Sequence, residues 1–266
     1  MEIYQSKRIL VLGTTYPSYS RKYTEVVCTG GIIEDSYEMI RLHPIPHRYL
    51  ESEHKFKAFQ FITVKITKDL RDPRPESYKV DPRSISLQEM IPSTKHNLRV
   101  EYLERSPHLC QSVEELKGRQ TARGTSLGII KPKRVTDCKI VLRSDSEREE
   151  WKQKEKEVLS QQNLFGDNPK PIDFPDAEFV VSWECDDKRC NGHNMNLHQW
   201  GIHELYRKFK RDPDRDEKVV AEMWKKLDQS SRDVYLFLGN FRDIQYNFGL
   251  MDSYSPKKER QLSFSW

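Results

Sequence analysis

Short apolar runs rich in β-branched and aromatic residues dominate the first half of the chain, and stretches with helical periodicity gather in the second. Residues 8–13, Arg-Ile-Leu-Val-Leu-Gly, predict a strand buried on both faces, followed by a Tyr-Pro-Ser-Tyr-Ser turn. The next strand spans residues 25–33, in which residues 26–29 run into Gly30-Gly31, a pair that suggests a bulge or a close backbone approach. After the turn residues Glu34, Asp35 and Ser36, residues 39–42 read as the return strand of a hairpin, and Pro44 and Pro46 stop it continuing as an interior ladder. Residues 59–66, Phe-Gln-Phe-Ile-Thr-Val-Lys-Ile, form the clearest strand of all.

Residues 68–82 hold three prolines and many charges and predict a loop. Short helices are expected over 97–105 and 112–117, the second with Ser112 as N-cap and Glu115 at the capping-box position. Two strands, 126–130 and 135–142, joined by the basic turn 131–134, are expected to rejoin the first β layer. A charged helix over 144–162, capped by Ser144 or Ser146, then leads into a Pro- and Gly-bearing linker over 163–177. Beyond it come a strand at 179–183, helices at 199–210 and 217–227, and strands at 232–239 and 246–251. The fold class expected is α+β: a β-barrel-like region over 1–143, a charged helix and linker over 144–177, and a smaller mixed α/β module over 178–266.

Composition narrows the class without naming a function. Hydrophobic residues are 36% and charged residues 32% of the 266, while 11% aromatic content separates the chain from disordered sequences. No run approaches the ~20 apolar residues of a membrane span, and the first eight residues lack a signal-peptide core, so a cytoplasmic protein with no membrane partner is expected. Five cysteines, an odd number at scattered positions, fit reduced thiols. The net charge is only +4, but basic residues cluster at 131–134, 207–211 and 256–260, which together would make a phosphate-tracking stripe if the fold joined them.

The densest candidate chemistry is Cys185-Asp-Asp-Lys-Arg-Cys190-Asn-Gly-His193. It offers two thiolates and an imidazole, and a structural zinc needs one ligand more, expected from His198 or His203. Other readings are a polar loop with two reduced cysteines, a Cys190 nucleophile activated by His193, or a catalytic metal with Glu184, Asp186 or Glu204 as base. A second charged group, Asp69, Asp72 and Glu76 with Arg71, Arg74 and Lys79, has acids near a basic loop but no defensible nuclease spacing.

The segment from Arg21 to Gly31, with Cys28 before Gly30-Gly31, followed by Ile40-Arg41 and then Pro44, resembles the opening of the dual OB-containing domain of prokaryotic conflict and defence systems. The resemblance covers about thirty residues of the chain and implies an OB-like barrel that binds nucleic acid. Independently, Tyr16, Tyr19, Arg21, Lys22, Tyr23, Arg41, His43, His47 and Arg48 interleave aromatic and basic groups as a single-strand groove does. Nucleic-acid binding, favouring single strands, is therefore the leading expectation, with Tyr19 and Tyr23 stacking and Arg21, Lys22, Arg41, Lys131, Lys133 and Arg134 near phosphates. The alternative is a metal-dependent hydrolase or nuclease built on Cys185, Cys190 and His193. A partner-binding adaptor that uses Trp200, Tyr206 and Trp224 is a third class.

Overall fold

The computed structural model describes residues 3–160 and 170–258. The end of the expected charged helix (161–162), the expected linker residues 163–169, and Glu259 and Arg260 of the last basic cluster lie outside the described residues.

The first half is a closed β-barrel. Strands β1 (Gln5–Thr14), β2 (Ser18–Ser20), β3 (Thr24–Ile33), β4 (Met39–Ile45), β5 (Gln60–Lys68), β6 (Ser77–Val80) and β7 (Ser86–Met90) share one sheet. Five of them close on themselves in the order β1, β3, β4, β6, β5, with β5 returning to β1 through the register Gln5↔Ile66 to Leu10↔Phe61. Closure leaves no open edge between these five strands. The 68–82 stretch expected to be a loop contains β6, which joins β4 in parallel and β5 antiparallel and so completes the ring. Four residues with polar neighbours are too short to announce a strand; the pairing partners on either side impose it.

The second half is a mixed α/β module. Helix α1 (His96–Glu104) and the short β8 (Leu109–Cys110) lead into α2 (Val113–Arg123), β9 (Leu127–Ile130) and β10 (Arg134–Leu142). These are followed by α3 (Asp145–Leu159), β11 (Ala177–Glu184), β12 (His193–Asn196), α4 (Trp200–Lys208), α5 (Arg215–Leu227), β13 (Tyr235–Asn240) and β14 (Phe248–Tyr254). Ser112 caps α2, Gly124 ends it in the left-handed region, and Ser144 with Glu147 forms a capping box on α3. The strands at 126–130 and 135–142 do not rejoin the barrel sheet. β9 enters a four-strand sheet ordered β14, β13, β9, β8, and β10 pairs with β11 in a three-strand sheet. Apolar content alone carries no information about which distant strand becomes the partner.

Both faces of β1 are buried, as its apolar run predicts. Ile9 and Val11 point into the barrel core with Leu42, Ile62 and Val64. Leu10 and Leu12 pack outward with Leu127, Ile129, Tyr235 and Phe237, so the barrel wall and the β9–β13 sheet share a core. The opposite face of that sheet, through Ile130, Leu236 and Leu238, packs on Phe179, Trp183, Ile202 and Met223. The aromatics considered for partner docking belong to these cores: Tyr206 is buried, Trp200 packs on the barrel cluster, and Trp224 packs on the module core.

Asp252 on β14 crosses the same junction. A Cβ at residue 13 would stand 2.0 Å from its Oδ2, so glycine and a bulge in β1 make room for the carboxyl. Gln199 and the Ser253 backbone N–H donate to its Oδ1. Burial pushes this carboxyl up from 3.8 to about 7. Between those values the folded chain holds a proton that the unfolded chain has released, so this contribution is complete below about pH 4 and is lost as pH rises to about 7. The stability gap between Asp252→Asn and wild type is therefore expected to widen in favour of Asn by on the order of 2–4 kcal/mol across that window. Denaturant melts at several pH values measure it, and a gap independent of pH contradicts the assignment.

Candidate functional site

A cleft of ≈ 380 Å³ opens where the barrel meets the β13–β14 hairpin. Its floor is the cross-strand pair Gly239 and Gly249. A Cβ on Gly239 would stand 2.5 Å from Met251 Sδ and 3.0 Å from Arg41 Nη2. One on Gly249 would stand 2.9 Å from the Phe241 ring and 3.2 Å from His198 Nε2. Two missing side chains thus let Met251, Arg41, Phe241 and His198 close onto the strand pair. Isolated glycines inside apolar strand patterns are a sequence signal for such an approach, and 239 and 249 carried it.

Arg41 forms the back of the cleft and is 2% exposed. Its Nη1 donates to Ser77 Oγ (3.2 Å) and Ser126 Oγ (2.8 Å), and its Nη2 donates to the carbonyls of Ser126 (3.1 Å) and Asn240 (3.3 Å). Ser126 Oγ in turn donates to Glu76 at 2.6 Å, so a carboxylate balances the guanidinium through one hydroxyl. Burial pulls the Arg41 pKa down from 12.5. Arg74, clamped by Asp72, donates to the same Asn240 carbonyl at 2.8 Å. The expected phosphate contact at Arg41 is corrected: its terminal N–H groups are engaged by protein oxygens, and the residue joins barrel to module. The exposed cation at this cleft is Arg242, whose Nη2 donates to the Arg71 carbonyl at 3.0 Å. His43 and His198 also line it, both with imidazole pKa values lowered by burial.

The other expected contacts lie in different places. Tyr19 packs on Trp151 and accepts a hydrogen bond from the Ile172 N–H at 2.7 Å, and Arg21 pairs with Glu157 at 2.7 Å, so both fasten α3 and the 172 segment to the barrel. Lys131, Lys133 and Arg134 face Glu104, Asp186 and Glu184 at 3.5, 3.5 and 3.0 Å, at the end of β9 opposite to Ser126. They form no stripe with Arg41. Lys22 sits over the Tyr23 ring and lines a shallow depression of ≈ 1000 Å³ with Lys68, Arg71, Tyr78 and Lys79. Asp69 is the carboxylate paired with Arg71 and Lys79 there, at 3.7 and 3.8 Å. The depression and the cleft adjoin at Arg71, which lines the first and receives Arg242 from the second.

The Cys/His segment does fold into a cluster, with a different fourth member from the one expected. The ligand atoms of Glu114, Cys185, Cys190 and His193 all lie within 4.8 Å of one another and can hold a metal ion. Cys190 Sγ is 3.4 Å from His193 Nε2 and accepts from the N–H groups of Cys185 (3.2 Å) and Gly192 (3.4 Å). His193 Nε2 is 3.3 Å from Glu114 Oε1, and Glu114 Oε2 is buried without a hydrogen-bond partner. Burial pushes the Cys185 thiol up to about 11. Glu114 arrives on α2, more than seventy positions upstream, and no local signal announces it. His198 lines the glycine-floored cleft instead, and His203 packs between Tyr16 and Phe179, where burial holds its imidazole down at about 3.

Residues 109–265 match the family model described as Domain of unknown function (DUF8757), and residues 5–105 match the one described as Domain of unknown function (DUF8758). The chain belongs to the DUF8757 family. No curated protein matches it. The DUF8757 match takes in the whole Glu114, Cys185, Cys190 and His193 cluster and the glycine floor, while Arg41, His43 and the basic depression fall in the DUF8758 match. The cleft therefore lies between the two matched regions. The carboxylates considered as a catalytic base are engaged elsewhere: Glu184 with Arg134, Asp186 with Lys133, and Glu204 with Arg207 and the Trp200 indole.

Proposed function

We propose that the protein binds single-stranded nucleic acid along the barrel depression and into the glycine-floored cleft. The observation that carries this reading is their continuity: Lys22, Arg71 and Lys79 lead to Arg242 at the cleft, with half-buried Tyr78 at one end of the path and the exposed Phe241 ring at the other. Cations neutralise phosphates along such a path while aromatic faces accept unstacked bases. The closed five-strand ring supports an OB-like barrel, the architecture implied by the resemblance to the dual OB-containing domain of defence systems. A role in defence is part of the same proposal.

Zinc is the metal that the cluster's donor set favours, with two sulfurs, one imidazole nitrogen and one carboxylate oxygen at spacings a tetrahedral shell can draw together. Four protein ligands make the role structural, tying α2 to the β11–β12 turn. The hydrolase alternative would need an acid free to activate water, and the nearby candidates are ion-paired.

Two measurements test these readings. Affinity for a labelled single strand is expected to fall steeply as salt rises from about 50 to about 200 mM. Arg242→Ala should reduce the log–log salt slope by about one, and Phe241→Ala should weaken binding roughly 5- to 100-fold. Absent or salt-insensitive binding overturns the nucleic-acid reading. Protein never exposed to chelator should carry about one zinc per chain and lose thermal stability when the metal is removed. A chain that retains no metal removes the zinc assignment.

A further inference from the structure

The basic cluster at 207–211 lines neither the depression nor the cleft and borders a separate pocket of ≈ 250 Å³. Arg148 of α3, Arg207 in the last turn of α4, Lys210 just beyond it and Arg215 at the start of α5 all line this pocket. Asp173, Phe174 and Asp176, from the segment ahead of β11, line it as well. Cations from three helices therefore meet in one small space.

Two of the guanidiniums are held by their faces. Arg148 Cζ lies 4.7 Å from the centroid of the Phe174 ring, and Arg215 Cζ lies 3.9 Å from that of Tyr206. Stacking of this kind fixes the plane of a guanidinium and leaves its N–H edge available. Arg148 Nη2 donates to Asp176 at 2.8 Å, Arg215 Nε donates to Asp216 at 3.3 Å, and Arg207 is engaged at both ends by Asp173 and Glu204. Among the described residues no acceptor meets Arg148 Nε or Nη1, either Nη atom of Arg215, or Lys210 Nζ. A ligand can reach these groups: the Arg148 and Arg215 side chains are 41% and 23% exposed, and Lys210 is exposed.

We infer that this pocket binds a phosphate monoester, with Arg148, Arg215 and Lys210 donating to its oxygens. A terminal phosphate carries close to two negative charges at neutral pH and three strong acceptor oxygens, whereas a backbone diester carries one charge. An anion here also meets Asp173 and Asp176, whose charge is shared with Arg207 and Arg148, so the dianion gains more than a diester from the free donors. The volume agrees, since ≈ 250 Å³ is below the range of about 300–1,000 Å³ that holds a drug-sized ligand. Tyr16 lines both this pocket and the cleft, so a strand end that leaves the cleft past Tyr16 meets the pocket. The strand end as the source of the phosphate rests on the strand-binding reading; the phosphate chemistry of the pocket does not.

The test compares single strands of about 12 nucleotides, at fixed ionic strength, that carry a 5′-phosphate, a 3′-phosphate or neither. Inorganic phosphate is titrated separately against chloride of equal ionic strength. One of the two phosphorylated ends should tighten binding about tenfold, the low end for hydrogen bonds to a charged group at a part-exposed site. Lys210→Gln and Arg215→Gln should each remove most of that gain and leave the hydroxyl-ended strand within about twofold of wild type. Lys210 has no side-chain partner among the described residues to lose, so its variant keeps the test open if Arg215→Gln does not fold. Saturable binding of inorganic phosphate that Lys210→Gln weakens, with no preference for a phosphorylated end, supports the pocket and assigns it to a free small phosphate. A gain that survives both substitutions overturns the pocket. So does the absence of both an end preference and phosphate binding, which leaves strand binding standing if the strands still bind. Phosphate binding by protein that binds no strand overturns the strand reading alone.

Discussion

A single buried guanidinium holds the two halves of this molecule in register. Arg41 leaves the barrel on β4 and spends its terminal hydrogen bonds on Ser77 within the barrel and on Ser126 and Asn240 of the module. A cation so fully removed from water is tolerable only when its donors are satisfied and a countercharge is near, and Glu76 meets the second condition through Ser126. Taking away one partner of such a set typically costs about 3–5 kcal/mol, because the charge left behind has no solvent to turn to. The geometry of the cleft follows from this clamp. Arg41 fixes where the end of β13 lies, and Gly239 is the residue that lets Nη2 approach the strand.

The same junction explains why the interior of the protein reads as one body. The apolar face of the β9–β13 sheet covers the outer surface of β1 and β5, so the barrel wall is a shared layer with core on both sides. Asp252 and Gly13 belong to this layer as well, a buried acid accommodated by a strand with no side chain in its way. Polar groups at the junction are therefore specific in their partners, whereas the hydrophobic contacts beside them constrain mainly shape and volume.

How much of this was legible in the sequence depended on the range of the signal. Ser112 and Ser144 cap helices through bonds three residues away, and the Ile9–Leu12 run declared burial on both faces; such features are written locally. The strand Ser77–Val80 was missed because its identity comes from β4 and β5, and strands β9 and β10 were assigned to the wrong sheet for the same reason. At the metal cluster, Cys185, Cys190 and His193 stood out by spacing, while Glu114 is brought in only by the docking of α2. Arg41 was singled out correctly as a notable residue and given the wrong task, since composition cannot tell a buried clamp from an exposed phosphate contact. Tyr19 and Arg21 find their partners in Glu155 and Glu157 of α3, which no local pattern announces.

What remains is the surface proposed for a single strand: cations in the barrel depression, an aromatic rim and a floor of two glycines. Amide hydrogen exchange with and without a single strand of about 12 nucleotides tests that account most directly. The account predicts slowed exchange in residues 68–79 and 239–250, and unchanged exchange in the basic turn 131–134. Protection confined to that turn, or no protection anywhere, would contradict it.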